Sequence, residues 1–261
     1  MLAPLHAAPF AYFLIAAMVA VSVAGLRNRR LFEALRMHPY SLYRGKRPFT
    51  ALTSVFVHVD ERHLLINGGL LCLSLPEIEY MLIDDFGPWI GRLLMLMFLT
   101  LSSAFAALLA AIQHRRNALH WSAGASAVIL AAFMFFLMYF PVDPILGMPS
   151  FFTDIRPLWI AFVILLVLVV QLCLRGPAGA IHLYGALAGM LLAFLIRPVS
   201  LTEISIFVLE ESDNESAWYN HSTDYTDDSP AEQRSLPAFT ALDGFRLFDV
   251  EAVHPRWDLQ G

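Results

Sequence analysis

The sequence predicts an all-α membrane protein, six transmembrane helices followed by an acidic, mostly irregular C-terminal tail. Three observations predict it. The 261-residue chain is 58% apolar and only 15% charged, with a mean hydropathy of +0.61, whereas a soluble domain is about 45–50% apolar and about 25% charged. Six segments are apolar over nearly the length of about 20 residues that crosses a hydrocarbon core of about 30 Å. The charge is also divided, since residues 199–261 carry 13 acidic against 3 basic residues while the remainder is net positive. A basic body with an acidic end describes a membrane domain, residues 1–198, and a solvated tail, residues 199–261.

The first span is Phe10–Leu26. No basic residue precedes its apolar run and Arg27, Arg29 and Arg30 follow it, the reverse of a cleaved signal, so it is retained. The stretch from Arg27 to Arg62 is basic, and Leu31-Phe32-x-x-Leu35 among Arg29, Arg30 and Arg36 predicts a short amphipathic helix at the interface. The second span is His63–Met81, where Glu77 and Glu79 near its end must face protein or water rather than lipid. Leu93–Gln113, Trp121–Val142, Pro157–Leu174 and Ala180–Ile196 complete the six. Beyond Pro198 the chain turns rich in Ser, Asp, Asn and Thr. Residues 210–235 read as disordered, and Phe239–Val250 as a short docking element. Cys72 and Cys173 lie inside apolar segments and form no CxxC or disulfide framework, so they read as small buried apolar residues.

Polar groups inside spans are costly and mark function. In a six-span chain the second, fourth and sixth spans begin on the same side. His63 and Asn67 stand at the start of the second, Ser126 early in the fourth and His182 early in the sixth. His182 follows Arg175 by seven residues and Asn67 follows Arg62 by five, which at about 1.5 Å per residue sets both roughly 7–10 Å along their helices. A hydroxyl, two imidazoles and a carboxamide are thereby expected in one layer of one leaflet.

Those residue types suit acyl transfer. A serine hydroxyl becomes a nucleophile when a neighbouring imidazole takes its proton, which makes Ser126 and His182 a candidate catalytic dyad. His63 and Asn67, four residues apart, share a helix face. With the Ser126 backbone N–H they supply donors for an oxyanion hole. Gly185-x-x-x-Gly189 is a helix-packing motif. The sequence holds no HExxH pair, and nothing in it calls for a metal or a cofactor. His58 reads as structural, bonding loop carbonyls, and Glu79 as structural, bonding within the loop after the second span. His6, His38, His114, His120, His221 and His254 carry no pattern and read as solvated or interfacial.

At these residues the sequence resembles the rhomboid family of intramembrane serine proteases. Thr53-Ser54-Val55-Phe56-Val57-His58 with His63-Leu64-Leu65-Ile66-Asn67 resembles the family's TSxFxH…HLLxN stretch. Gly124-Ala125-Ser126-Ala127 resembles GxSG, and the run from His182 through Gly185 to Gly189 resembles HxxGxxxG. The resemblance covers roughly residues 45–197. It implies a six-helix rhomboid-like bundle in which Ser126 is the nucleophile, His182 the base, and His63 with Asn67 and Ser126 the oxyanion hole. Gly124, Ala127, Gly185 and Gly189 would pack the helices at the site. It implies a single-span membrane protein as substrate, cut near the membrane boundary, and residence in the lipid bilayer as an integral multi-pass protein, in the inner or plasma membrane if the cell is bacterial. No basic patch of the nucleic-acid-binding kind is present.

The sequence departs from the pattern at Ala127, where the family has glycine and looser packing of the fourth span on the sixth is expected. It departs also at Leu130, at Ile181 and at Gly87, which follows Glu79 later than usual, and Tyr43-Arg44 stands in place of a Trp-Arg pair. The alternative these departures leave open is a catalytically impaired relative that binds transmembrane helices. Orientation divides the arguments. Eleven basic residues on the catalytic side against three opposite place that side in the cytoplasm, while the resemblance implies the reverse. Seven of the eleven fall in Arg27–Arg47, where an interfacial helix holds lipid headgroups on either side, so the expectation follows the resemblance.

Overall fold

The computed structural model describes residues 3–143, 156–175 and 180–223. The described residues are helical with no named strand. Helix α1 is Pro9–Arg27, and Asn28 then caps the short helix α2, Arg29–Leu35, through its side-chain oxygen. Helices α3, Pro39–Tyr43, and α4, Thr50–Thr53, lead into a 3-10 turn at Ser54–Phe56. The amphipathic stretch predicted near Leu31–Leu35 is thus α2, part of a folded brace between the first two spans.

Helix α5, Glu61–Gln113, contains both the second and the third predicted spans. Its 53 residues would extend about 80 Å if straight, far beyond one membrane thickness. Gly87 breaks it with φ 79° and ψ 168°, a conformation open to glycine and little else. Pro88 then starts the second arm, where its missing N–H costs nothing. The chain reverses there. A Cβ on Gly91 would fall 2.5 Å from the Leu82 carbonyl oxygen, although nine residues span about 13 Å of straight helix. The two spans therefore meet at a glycine–proline corner rather than across the loop expected between Met81 and Leu93.

Helix α6 is Ser126–Tyr139, shorter than the predicted span Trp121–Val142. Residues 121–125 enter as non-helical chain, with Met37 and Ser122 exchanging both backbone hydrogen bonds. Ten of the 14 residues of α6 are buried, from Ala127 to Tyr139, so it lies at the core of the helical bundle. Helix α7, Pro157–Arg175, is the opposite case: Ala161 and Leu168 are buried while Phe162, Val163, Leu166, Val167 and Val170 are exposed, as befits a helix facing lipid.

Helix α8, Ala180–Ile196, packs on α6 at backbone distance. A Cβ on Gly185 would overlap the Ala127 carbonyl, and one on Gly189 the Ala131 carbonyl. The methyl of Ala127 therefore does not hold the helices apart, contrary to the looser packing expected.

Helix α9, Val199–Thr223, continues after a bend of 100°. Its start is fastened rather than irregular: Arg197 pairs with Glu203 at 2.7 Å and, with Ser200, donates to the Tyr139 carbonyl. These bonds order a segment whose composition alone reads as tail. The first compact unit is Met1–Asn214, and the second, Glu215–Gly261, is described only as far as Thr223. Residues 224–261, with Phe239–Val250 among them, lie outside the described residues.

Among the described residues, α1, α5 and Pro157–Leu174 are long and apolar enough to cross a membrane, and Ala180–Ile196 with Val199–Glu211 makes a fourth if taken as one bent span. Helix α6, at 14 residues, reaches only about 21 Å.

The charges of the second span also have partners. Glu79, fully buried, accepts from the N–H groups of Phe10 and Ala11 at 3.3 and 2.6 Å and from Arg92 at 3.2 Å. It thus caps the positive end of α1 rather than a nearby loop, and Glu77 accepts from Ala3 N–H.

The packing makes a prediction. Gly185→Ala and Gly189→Ala should each lower resistance to denaturation in detergent by about 1–3 kcal/mol or more through overpacking, despite alanine's better helix propensity. Gly69→Ala, where a Cβ meets nothing within 4 Å, should be neutral or stabilising. Equal stability in all three would show that the α6–α8 contact does not depend on bare backbone.

Candidate active site

The site is assembled from the starts of three helices. Asp60 caps α5, its carboxylate accepting the His63 N–H at 2.8 Å, and this sets the helical register just before His63 and Asn67. Gly124 and Ala125 turn the chain into α6, so Ser126 is its first residue. His182 comes from the first turn of α8.

His182 Nε2 lies 3.1 Å from Ser126 Oγ. Neutral imidazole with its proton on Nδ1 accepts the serine hydroxyl in that geometry. Gly124, at φ 117°, is the one residue that fits between the serine and α5. A Cβ there would fall 2.6 Å from His63 Cε1 and 3.4 Å from Asn67 Nδ2. The side chains of His63 and Asn67 thus press against the turn carrying Ser126, as their shared helix face requires.

Asn67 is 3% exposed and its Nδ2 is buried without an acceptor. A buried donor left unpaired costs about 1–3 kcal/mol. This donor stands 3.4 Å from where a Cβ on Gly124 would lie, beside the turn that carries Ser126. The Ser126 backbone N–H, at a helix start, is likewise outside the intrahelical ladder.

The cleft over Ser126 and His182 has a volume of about 320 Å³. Its walls include Val59, Ala110, Trp121 and Ile181, and Gln113, His63, His114 and His120 supply polar groups. Among the described residues, no side chain with a fixed charge lines it.

His114 and His120 stack with centroids 3.7 Å apart. Sequence gave no reason to place them here. Their one signal is position, since both flank the connection between the third and fourth predicted spans on the side of Ser126. Burial, then the His114 and His38 imidazoles, hold His120 below the ordinary histidine range. His38 is likewise a brace, with Nε2 2.7 Å from the Ala118 carbonyl and Nδ1 2.8 Å from Ser41 Oγ.

His58, expected to bond loop carbonyls, bonds a helix hydroxyl and a backbone N–H instead. It is wholly buried, with Nδ1 2.7 Å from Ser22 Oγ and Nε2 accepting the Ala125 N–H at 3.3 Å. Burial, with the nearby His63 imidazole adding and Asp60 opposing, pushes it down to about 4.

Fold and site define a class: an integral, multi-pass, all-helical membrane protein with a serine–histidine pair between its helices. A family model described as the rhomboid domain matches residues 45–199. The chain belongs to the rhomboid family. No curated protein matches it.

His58 generates a pH prediction. Its folded value lies below the ordinary value of about 6.5, so the unfolded chain binds the extra proton first. The corresponding stability is fully present above about pH 6.5 and is lost as the pH falls towards 4. Denaturation midpoints in detergent at pH 7 and pH 4.5 should therefore differ more for the wild type than for His58→Gln. An equal difference would mean that His58 does not titrate with unfolding.

Proposed function

We propose that this protein is an intramembrane serine endopeptidase that cuts single-span membrane proteins near the membrane boundary, and that its membrane domain makes six crossings. The observation that carries the catalytic reading is the 3.1 Å approach of Ser126 Oγ to His182 Nε2 beside the unpartnered Asn67 carboxamide. Six crossings follow if the two arms of α5 each cross, α6 enters through the non-helical residues 121–125, and α8 crosses alone.

In this reading His182 takes the Ser126 proton at Nε2 as Oγ attacks the scissile carbonyl carbon. The carbonyl oxygen becomes negative and is met by Asn67 Nδ2–H, the Ser126 N–H and the His63 ring. The tetrahedral intermediate collapses, the C–N bond breaks, and His182 returns the proton to the leaving amine. Water, activated by the same imidazole, then releases the acyl group from Ser126. The cleft without fixed charges suits an extended stretch of uncharged chain. The burial of α6 supports a site shielded from lipid on most sides.

The close α6–α8 contact at Ala127 weakens the impaired-relative alternative, because the departure from glycine leaves the serine within reach of the histidine. Ser126→Ala and His182→Ala should each abolish cleavage of a single-span reporter in proteoliposomes without loss of fold, since the pair acts as a unit. Asn67→Ala should lower kcat by roughly 10²–10³ with KM little changed. Cleavage near the wild-type rate in either dyad variant removes the protease reading. A KM effect alone at Asn67 assigns that residue to substrate binding.

A further inference from the structure

The turn that carries Ser126 is held from outside. Gly124 resists little rotation, having no side chain. The Ala125 N–H, just before α6, is not part of the helix ladder. Two bonds from the brace between α1 and α5 hold the turn: Gly124 N–H donates to the Ser54 carbonyl at 2.9 Å, and Ala125 N–H donates to His58 Nε2 at 3.3 Å.

The protons in this chain of bonds can be assigned. The Phe56 carbonyl can only accept, so the Ser22 hydroxyl, 2.8 Å away, donates to it. The Ser22 oxygen is then the acceptor for His58 Nδ1–H at 2.7 Å. His58 Nε2 therefore carries a lone pair, which is what the Ala125 N–H requires. Ser22 and His58 are both 0% exposed, so neither touches substrate, and both ring nitrogens of His58 are engaged.

We infer that His58, with its tautomer selected by Ser22 of α1, is a positioning residue that sets the Gly124–Ala125 peptide and thereby aims the hydroxyl and backbone N–H of Ser126. The inference rests on the reading of Ser126 as nucleophile. If His58 loses its acceptor nitrogen, the Ala125 N–H must turn to find another partner, and Ser126 is the next residue along. A donor displaced by a fraction of an ångström still binds substrate but meets the developing oxyanion poorly. Removing Ser22 acts one step earlier. Without an acceptor for Nδ1–H, the proton can move to Nε2, where it opposes the Ala125 N–H.

The test uses the full chain in proteoliposomes, with a single-span reporter for kcat and KM and a fluorophosphonate probe for the rate of labelling at Ser126. The variants are His58→Leu, His58→Gln, Ser22→Ala and the double variant Ser22→Ala/His58→Leu. Loss of alignment should lower kcat about tenfold or more in His58→Leu and Ser22→Ala, with KM within about twofold. His58→Gln, whose Oε1 can accept from Ala125, should recover much of the loss. Ser22→Ala should cost nothing further in the His58→Leu background, because both act through one bond. In ¹⁵N spectra the His58 proton should sit on Nδ1 in the wild type and shift towards Nε2 in Ser22→Ala. If His58→Leu does not fold, Ser22→Ala with its spectrum decides alone. A labelled, active wild type alongside variants of unchanged kcat overturns the inference and leaves the protease reading standing. Additive losses, or losses in KM alone, also overturn it. A wild type that neither labels at Ser126 nor cleaves overturns the nucleophile reading, and this inference with it.

Discussion

No methyl group fits between α6 and α8 at Gly185 or Gly189, and the rest of the site depends on that contact. In a bilayer, lipid tails are as apolar as leucine, so burial of apolar surface does little to bring helices together. Close van der Waals approach of backbones does so instead. Here it puts the first residue of α6 beside the first turn of α8, and Ser126 meets His182 at 3.1 Å as a consequence. A wider separation would leave a serine and a histidine in the same layer without a bond between them.

The two ends of the bundle treat their polar groups differently. Away from the site, each has a partner. Glu79 takes the N–H groups at the start of α1 and the Arg92 guanidinium, Tyr139 donates to Asp85, and Arg197 joins Glu203 to the end of α6. These bonds hold the helix ends that meet at the Gly87–Pro88 corner. At the site end the Asn67 amide is left without an acceptor. A fold that satisfies buried charge at one end and tolerates an orphan donor at the other has its strain located where chemistry is proposed.

At the site end stands the brace of residues 28–60. It is fastened to the second arm of α5 through Ser103 Oγ and the Ala51 carbonyl, and to itself through Thr53 and Arg47, which donate to carbonyls at the end of α2. Met37, Ser54 and His58 reach from it to Ser122, Gly124 and Ala125. The connection entering α6 is thus held along its length by a segment distant in sequence. Several arginines that make this segment read as a lipid-facing interfacial stretch have internal tasks, Arg36 over the Trp121 ring and Arg47 on the α2 carbonyls.

The sequence by itself determined the solvent and the helical class, and it singled out the polar residues of the candidate site. Composition excludes a soluble globule, and membrane helices must satisfy their backbones internally, so long apolar runs can be read directly. Ser126, His182, His63 and Asn67 stood out as candidates because polar side chains are rare in such runs and these four begin predicted spans of the same parity. Tertiary structure decided what depends on contacts between distant segments. The corner at Gly87, the shortness of α6 and the fastening of the start of α9 at Ser200 and Glu203 are set by where neighbours stand, and no local pattern carries that information. The partners of His58 and the placement of His114 and His120 stayed unread for the same reason. An imidazole is ambiguous among ligand, base and brace until the groups at both its nitrogens are known, and for His58 those are a hydroxyl 36 residues away and an amide 67 residues away.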